Sequence, residues 1–267
     1  MARVRELGVW LYGQRVATLR APKVGRVTCE YTAEVVATHR RGSPLLSCSL
    51  PVRGGKHDAW PFITGLLPEG QHRSAMAGLA RVSTIDVLGM LDRFGRDVAG
   101  ALVIAADQPV VREARAVPYD EGELETALGE LGAHPLGLYD DSELSLAGIQ
   151  DKILLVRTPD GDWARPVHGY PSTHILKVDD RFHKGLVRAE HACLSLARAA
   201  GLPASRSEVV RVGDAECIVV KRFDRAPGVS GEATVRLHQE DACQALGIDP
   251  DHAQGRGKYE AHGGPTF

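Results

Sequence analysis

Asparagine does not occur anywhere in the 267 residues, so no chemistry that needs an asparagine side chain as metal ligand can be carried by this chain. Long apolar runs are missing too. No stretch approaches the ~20 residues that span a bilayer as a helix, and the opening Met-Ala-Arg-Val-Arg-Glu has no apolar secretion-signal core. A cytoplasmic protein is expected. Net charge is close to absent: 32 Lys+Arg against 34 Asp+Glu leave -2, which excludes a global positive field toward phosphate backbones or anionic lipid. A local basic patch stays possible. The five cysteines (Cys29, Cys48, Cys193, Cys217, Cys243) have neither metal-ligand spacing nor the density of a disulfide scaffold, and are expected to be reduced core thiols. Internal repeats and low-complexity segments are also lacking.

What is present is ordinary globular material, 43% hydrophobic and 25% charged, enough to bury one large core or two modest ones. Val4 to Tyr12, Val16 to Leu19 and Val27 to Tyr31 read as strands, the first two joined by a Gly13-Gln14 turn. Ser83-Thr-Ile-Asp86 followed by Val87, Leu88, Met90 and Leu91 at helical spacing predicts a helix to about Arg93. Val98 to Ala105 suits a buried strand, and 107–120, with Pro109, Pro118 and many charges, reads as a connection before a helix over Glu121 to Leu131.

A second unit follows: strands at Ile153 to Arg157, Trp163 and His174 to Val178, then a helix over about 185–200 closed by Gly201. Glu208 to Val212, Glu216 to Lys221 and Thr234 to Leu237 read as strands, and Glu240 to Leu246 as a helix. Asp249 to Phe267 has little apolar periodicity and reads as an interruption. The boundaries expected are 1–106, a connecting segment with a helix over 107–136, and 137–267.

Three features bear on chemistry. Lys177 sits inside His174-Ile-Leu-Lys177-Val, on the face of Ile175 and opposite Leu176; a strand lysine needs an exit or a partner, and an exposed edge position would also satisfy it. Glu190, thirteen positions on, borders the apolar stripe of Leu186, Cys193, Leu194 and Ala197, within reach of a strand lysine or simply solvated. Ser145-Leu-Ala-Gly148-Ile-Gln150-Asp-Lys152, just before a strand, could turn backbone N–H groups toward a phosphate, though it matches neither the protein-kinase Gly-rich loop nor the P-loop. A strand lysine, a helix carboxylate and a loop of backbone donors are the parts a lobe needs to hold ATP.

Six blocks in order then resemble the HipA family of serine/threonine kinases: Gly65-Leu-Leu-Pro-Glu-Gly70, Phe94-Gly-Arg-Asp-Val-Ala-Gly-Ala101, Ser145 to Lys152, Thr173-His-Ile-Leu-Lys177, Lys221-Arg-Phe-Asp-Arg225 and Leu237-His-Gln-Glu-Asp-Ala-Cys-Gln244. The resemblance implies an α+β chain with a β-rich N-terminal subdomain followed by a protein-kinase-like N-lobe, its C-lobe mostly missing. It implies a toxin kinase of a toxin–antitoxin pair, whose best-known members phosphorylate an aminoacyl-tRNA synthetase, with a small HipB-like DNA-binding antitoxin as partner. By position, Lys177 would hold ATP phosphates and Glu190 would orient it, and Ala147, Gly148, Ile149, Gln150, Asp151 and Lys152 would form the phosphate loop. Lys221, Arg222 and Phe223 would be the hinge at adenine, although some relatives carry an acid at Lys221. Ser145 resembles the serine that family members autophosphorylate; a turn or capping serine is the alternative.

The family's catalytic aspartate with its Lys-Asn, and a second aspartate for Mg²⁺, lie well beyond the Leu237 block. Here thirty residues follow Leu237, with Asp241, Asp249 and Asp251 but no Asp-x-x-x-Lys-Asn. No catalytic or metal residue is therefore assigned, and the chain alone is expected to be an inactive N-terminal portion that leaves an apolar face uncovered. The alternative is a non-catalytic module engaging an antitoxin or a separately encoded kinase part.

Overall fold

A computed structural model of the chain describes residues 6–266 except 24, 109–113, 132–133, 135, 140, 149, 180–183, 229–233 and 251–256. The described residues form two compact units, and the chain enters the first three times: residues 1–110, 143–149 and 238–267 belong to it, and 111–142 with 150–237 form the second.

The first unit is built on β1 (Glu6–Leu11), β2 (Gln14–Lys23), β3 (Arg26–Tyr31), β4 (Lys56–Asp58) and β5 (Leu102–Ala105), an antiparallel sheet ordered β4-β3-β2-β1-β5. Alternation drives it: Leu7, Val9 and Leu11 are buried, as are Val27, Cys29 and Tyr31. Gly13, at φ 81, makes the tight β1–β2 turn without a Cβ penalty. α1 (Ala33–Thr38), α2 (Trp60–Thr64), α3 (Gly70–Ala80) and α4 (Val87–Phe94) complete it. The Asp86 carboxylate caps α4 by accepting from the Gly89 N–H at 3.1 Å, so the helix starts at Val87, three residues later than the Ser83 cap read from the sequence would place it.

The second unit contains β6 (Arg115–Pro118), α5 (Glu123–Gly129), β7 (Lys152–Arg157), β8 (Trp163–Val167), β9 (His174–Val178), α6 (Leu186–Ala199), β10 (Ser207–Val212) and β11 (Ala215–Lys221). Its strands form an antiparallel sheet ordered β10-β11-β9-β7-β8-β6, and β12 (Arg225–Ala226) pairs with β13 (Val235–Arg236). One face of the sheet packs Ile153, Leu155, Leu176, Cys217 and Val219 against Ala127 of α5. The other packs Ile218 and Val220 against Val187 and Leu194 of α6. After β13 the chain rejoins the first unit through α7 (Ala242–Leu246), whose Gln244 donates from Nε2 to the Phe62 carbonyl at 2.9 Å and accepts at its own carbonyl from Ser49 Oγ at 2.6 Å.

Four readings change. The strand expected from Val98 shortens to Leu102–Ala105, because Gly100 adopts φ 77 and Asp97 instead bridges to Leu144. The connection expected over 107–120 contains β6, an edge strand against β8 where Pro118 is tolerated. The helix over 121–131 contracts to α5. Only three cysteines are core thiols: Cys29, Cys217 and Cys243 are buried, whereas Cys48 and Cys193 are exposed, and all five are free. Burial pushes the Cys29 thiol up to about 12 and the Cys217 thiol up to about 11, so both behave as inert apolar groups.

Gly95 ends α4 where no side chain fits: a Cβ there would meet the Ile104 carbonyl oxygen at 2.5 Å and that of Leu91 closer still. Both are backbone atoms: the Leu91 carbonyl accepts from the Gly95 N–H at 2.8 Å, and Ile104 is tied to Gly95 by its own N–H, which donates to the Gly95 carbonyl at 2.8 Å, so neither can yield cheaply. Gly95→Ala should lower unfolding stability by about 1–3 kcal/mol or more. Gly78→Ala on α3, where nothing lies within 4 Å, should leave stability unchanged or raise it by up to ~1 kcal/mol. Urea unfolding of the two variants side by side measures the difference.

Candidate functional site

Lys177 lies on the third strand of the second sheet, and alternation decides where its side chain goes. Leu176 and Val178 belong to the α5 face, so Lys177 turns to the α6 face together with its cross-strand neighbour Ile218. There Lys177 Nζ donates to Glu190 Oε1 at 2.6 Å, with the two side chains 20% and 28% exposed. The pair is partly withdrawn from water yet open on one side, a setting in which a charge-assisted bond is stronger than a surface ion pair.

Lys152, only 4% exposed, stands directly opposite Lys177 in the β7–β9 ladder, on the same face. Two ammonium groups as cross-strand neighbours concentrate positive charge at one spot on the sheet. The turn leading into β7 is tied to the far end of β9: the Val178 N–H donates to the Asp151 carbonyl and Gln150 Nε2 to the Val178 carbonyl, both at 3.5 Å. Of the other loop residues, Ala147 and Gly148 belong to the first unit, Gly148 at φ 114, and Ile149 lies outside the described residues.

The segment after β11 behaves differently from the strand lysine. The Lys221 side chain is exposed at the strand end, and Phe223 is 67% exposed. Arg222 turns inward: its guanidinium donates to both Asp224 carboxylate oxygens at 2.9 and 2.7 Å and to Ser172 Oγ at 2.8 Å. Arg225 Nη1 lies 2.9 Å from the same carboxylate. This buried fork holds the segment's shape, so its side-chain chemistry is directed into the protein.

Ser145 is fully buried in the first unit, where its hydroxyl donates to the Leu66 carbonyl at 2.9 Å and its N–H to the Asp97 carbonyl at 3.0 Å. A phosphoryl group could reach that oxygen only after the contact opens. Among the described residues no three His, Cys, Asp or Glu side chains gather as a metal site, and Asp251 lies outside them.

Two residues important to this arrangement have roles that no motif discloses. Asp224 lies inside the Lys221 to Arg225 block, but its role is visible only as the inward partner of Arg222. Asp179 follows β9 immediately and reaches the start of α6; the question of what caps a helix that begins at Gly185 would have found it.

With this geometry in hand, comparisons place the chain. Residues 7–105 match the family model "HipA N-terminal domain" and residues 144–264 match "HipA-like C-terminal domain". With both domains in order along most of its length, the chain belongs to the HipA family. Among curated relatives, Y4mE of Sinorhizobium fredii, provisionally named a kinase, is 36% identical over 99% of this chain and 63% of its own length. The serine/threonine-protein kinase toxin HipA of Shewanella oneidensis is 27% identical over 84% of this chain and 53% of its own. In the solved complex of Shewanella oneidensis HipA with HipB and operator DNA, one chain aligns with a TM-score of 0.76 at 24% identity, covering 97% of this chain and 59% of that one, a likeness of fold. The chain thus spans 53–63% of the curated relatives named here. Likeness to an N-terminal portion alone is not supported, since the C-terminal domain model is matched as well and a relative aligns over 99% of the chain.

His174 opens β9 three residues before Lys177, on the opposite face of the sheet. Its ring meets Trp163 edge-on at 5.2 Å and its Nδ1 lies 2.8 Å from Thr173 Oγ1. Burial, then the cations Lys221 and Arg157, lower its pKa to about 4. An unfolded histidine titrates near ~6.5, so between that pH and about 4 the unfolded chain binds more protons than the folded one. The stability present above the unfolded pKa is lost as pH falls through that window. Melting temperatures should therefore fall more steeply from pH 6.5 to 4 for the unsubstituted chain than for His174→Gln.

Proposed function

We propose that the second unit holds the phosphates of ATP, with Lys177 as the ammonium that contacts them and Glu190 as the carboxylate that keeps it in place. The observation that carries this is the 2.6 Å contact between strand and helix, thirteen residues apart in sequence. A phosphate chain is polyanionic, and the cross-strand lysines Lys152 and Lys177 supply cationic donors suited to it. The sheet with α6 is read as a kinase-like N-lobe. Ala147 to Lys152 is proposed as the phosphate loop, with Gly148 at φ 114 allowing a backbone path closed to most side chains. Contact with adenine would come from the main chain of Lys221, Arg222 and Phe223, since the Arg222 side chain is committed to Asp224.

In the whole protein this site would serve a HipA-type serine/threonine kinase toxin acting in the cytoplasm, paired with a HipB-like DNA-binding antitoxin and directed at a translation factor such as an aminoacyl-tRNA synthetase. Mg²⁺ would supply charge neutralisation between phosphates, but no described side chain is assigned to it. The 267 residues contain no asparagine for the family's second metal position, which favours nucleotide holding without transfer by these residues alone. The same absence favours a second reading, a non-catalytic module that engages an antitoxin or a separately encoded kinase part.

Mg·ATP should raise the melting temperature of the chain, and Lys177→Ala should abolish the rise while labelled phosphate transfer stays undetectable in both. No rise in the unsubstituted chain would end the nucleotide reading. For the second reading, the chain expressed with its neighbouring gene products should co-purify with one of them at fixed stoichiometry; a clean monomer counts against it.

A further inference from the structure

We infer that Asp179 is a positioning residue that sets the Lys177–Glu190 pair by fastening the start of α6 to the end of β9; its consequence for nucleotide binding rests on the reading of that pair given above. Asp179 lies two residues after Lys177, immediately past the strand. Its carboxylate accepts from the backbone N–H of Gly185 at 2.6 Å and from that of Val187 at 2.9 Å. Those N–H groups belong to the helix start, where four donors have no partner within the helix and the aligned peptide dipoles leave partial positive charge. The cap residue itself, Gly185 at φ 85, has no side chain to offer, and no acid occupies the first turn of α6. Asp179 supplies both from outside the helix.

The dependence of α6 on this contact follows from how little else anchors it. Of its fourteen residues Val187 alone is buried, while Leu186 is 43% and Leu196 71% exposed. Arg188 pairs with Glu216, but the arginine side chain is 76% exposed and such pairs contribute little. His191 Nδ1 lies 3.0 Å from Ser207 Oγ, a single polar contact to β10. A helix held by one buried apolar side chain, the partly buried Leu194 and a few polar contacts can rotate or slide.

Glu190 lies one turn beyond Val187, so whatever fixes the first turn fixes the carboxylate. A slip of one residue moves a side chain ~1.5 Å along the axis and ~100° around it. Either displacement separates Glu190 from an ammonium that it meets at 2.6 Å. The contacts form a short closed circuit: Lys177, two residues of backbone, the Asp179 carboxylate, the Val187 N–H, three residues of helix, Glu190, and back to Lys177. Asp179 acts through Glu190.

The test uses the full 267-residue chain labelled with ¹⁵N-lysine. An ion-paired, partly buried ammonium should give its own Nζ resonance, assigned by its disappearance in Lys177→Arg. In Asp179→Ala that resonance should vanish or move to the position of exposed lysines while far-UV circular dichroism is retained. Asp179→Asn, of the same size with one acceptor oxygen left, should shift it less, and serves alone should the alanine variant fail to fold. An Nζ resonance unchanged in the folded variants, or none resolvable in the unsubstituted chain, overturns the inference.

Mg·ATP affinity is the second arm. Asp179→Ala should weaken it on the order of tenfold, as misplacement of a binding group does. In a Glu190→Gln background the same change should add no more than about twofold, because residues acting through one another are not additive. Losses that add in full would place the effect of Asp179 elsewhere and overturn the inference. A chain that binds no ATP while the Nζ resonance responds as described would leave the positioning intact and sink the nucleotide reading.

Discussion

The contact between Lys177 and Glu190 requires a strand and a helix, joined by a short connection, to keep one spacing while each is free to move. Much of the second unit can be understood as what that requirement demands. The sheet fixes the lysine from both sides, through β7 and β11, and alternation leaves its neighbours Leu176 and Val178 packed under α5, so the ammonium has one direction available. The helix is fixed less firmly, by Val187, by the partly buried Leu194 and by polar contacts around its first turns. A rigid member and a lightly held member meeting at an ion pair form an arrangement whose geometry can be set, or lost, by small changes at the helix start.

The buried fork of Arg222, Asp224 and Arg225 shows the opposite use of charge. Its guanidinium groups are 1% exposed and closed on a carboxylate 5% exposed. Charges placed so deeply serve shape, and they stay there only because each is matched. Lys177 and Glu190, 20% and 28% exposed, retain access to solvent and therefore to a ligand. Depth separates the two ion pairs into one that shapes a segment and one suited to bind.

Much of the second unit was legible in the sequence because its strands are short, alternate cleanly and are separated by Gly-containing turns; His174 to Val178 and Glu208 to Val212 were read within a residue of their observed ends. The Lys177 and Glu190 faces followed from the same periodicities. β6 was not legible, since Arg115–Pro118 looks like a charged connection until β8 supplies its pairing partner. Nor were α2 and α3, one five residues long and opening on Trp60-Pro61, the other rich in Gly, Ala and polar residues with no sustained apolar stripe. Contacts such as Ser145 to Leu66, 79 residues apart, leave no local period to detect. The same holds for Asp179, whose role depends on where α6 begins in space.

The first unit closes with α7, whose Gln244 bonds to Phe62, 182 residues upstream, and receives the Ser49 hydroxyl, 195 residues away. During synthesis, therefore, the N-terminal sheet emerges from the ribosome long before the helix that seals it. All of the second unit is made in the interval, inserted between the early and late parts of the first. At bacterial-type elongation rates of about 5–20 residues per second, the nascent sheet spends on the order of ten seconds or more with the α7-binding surface around Phe62 and Ser49 bare, a window in which chaperones have most to hold.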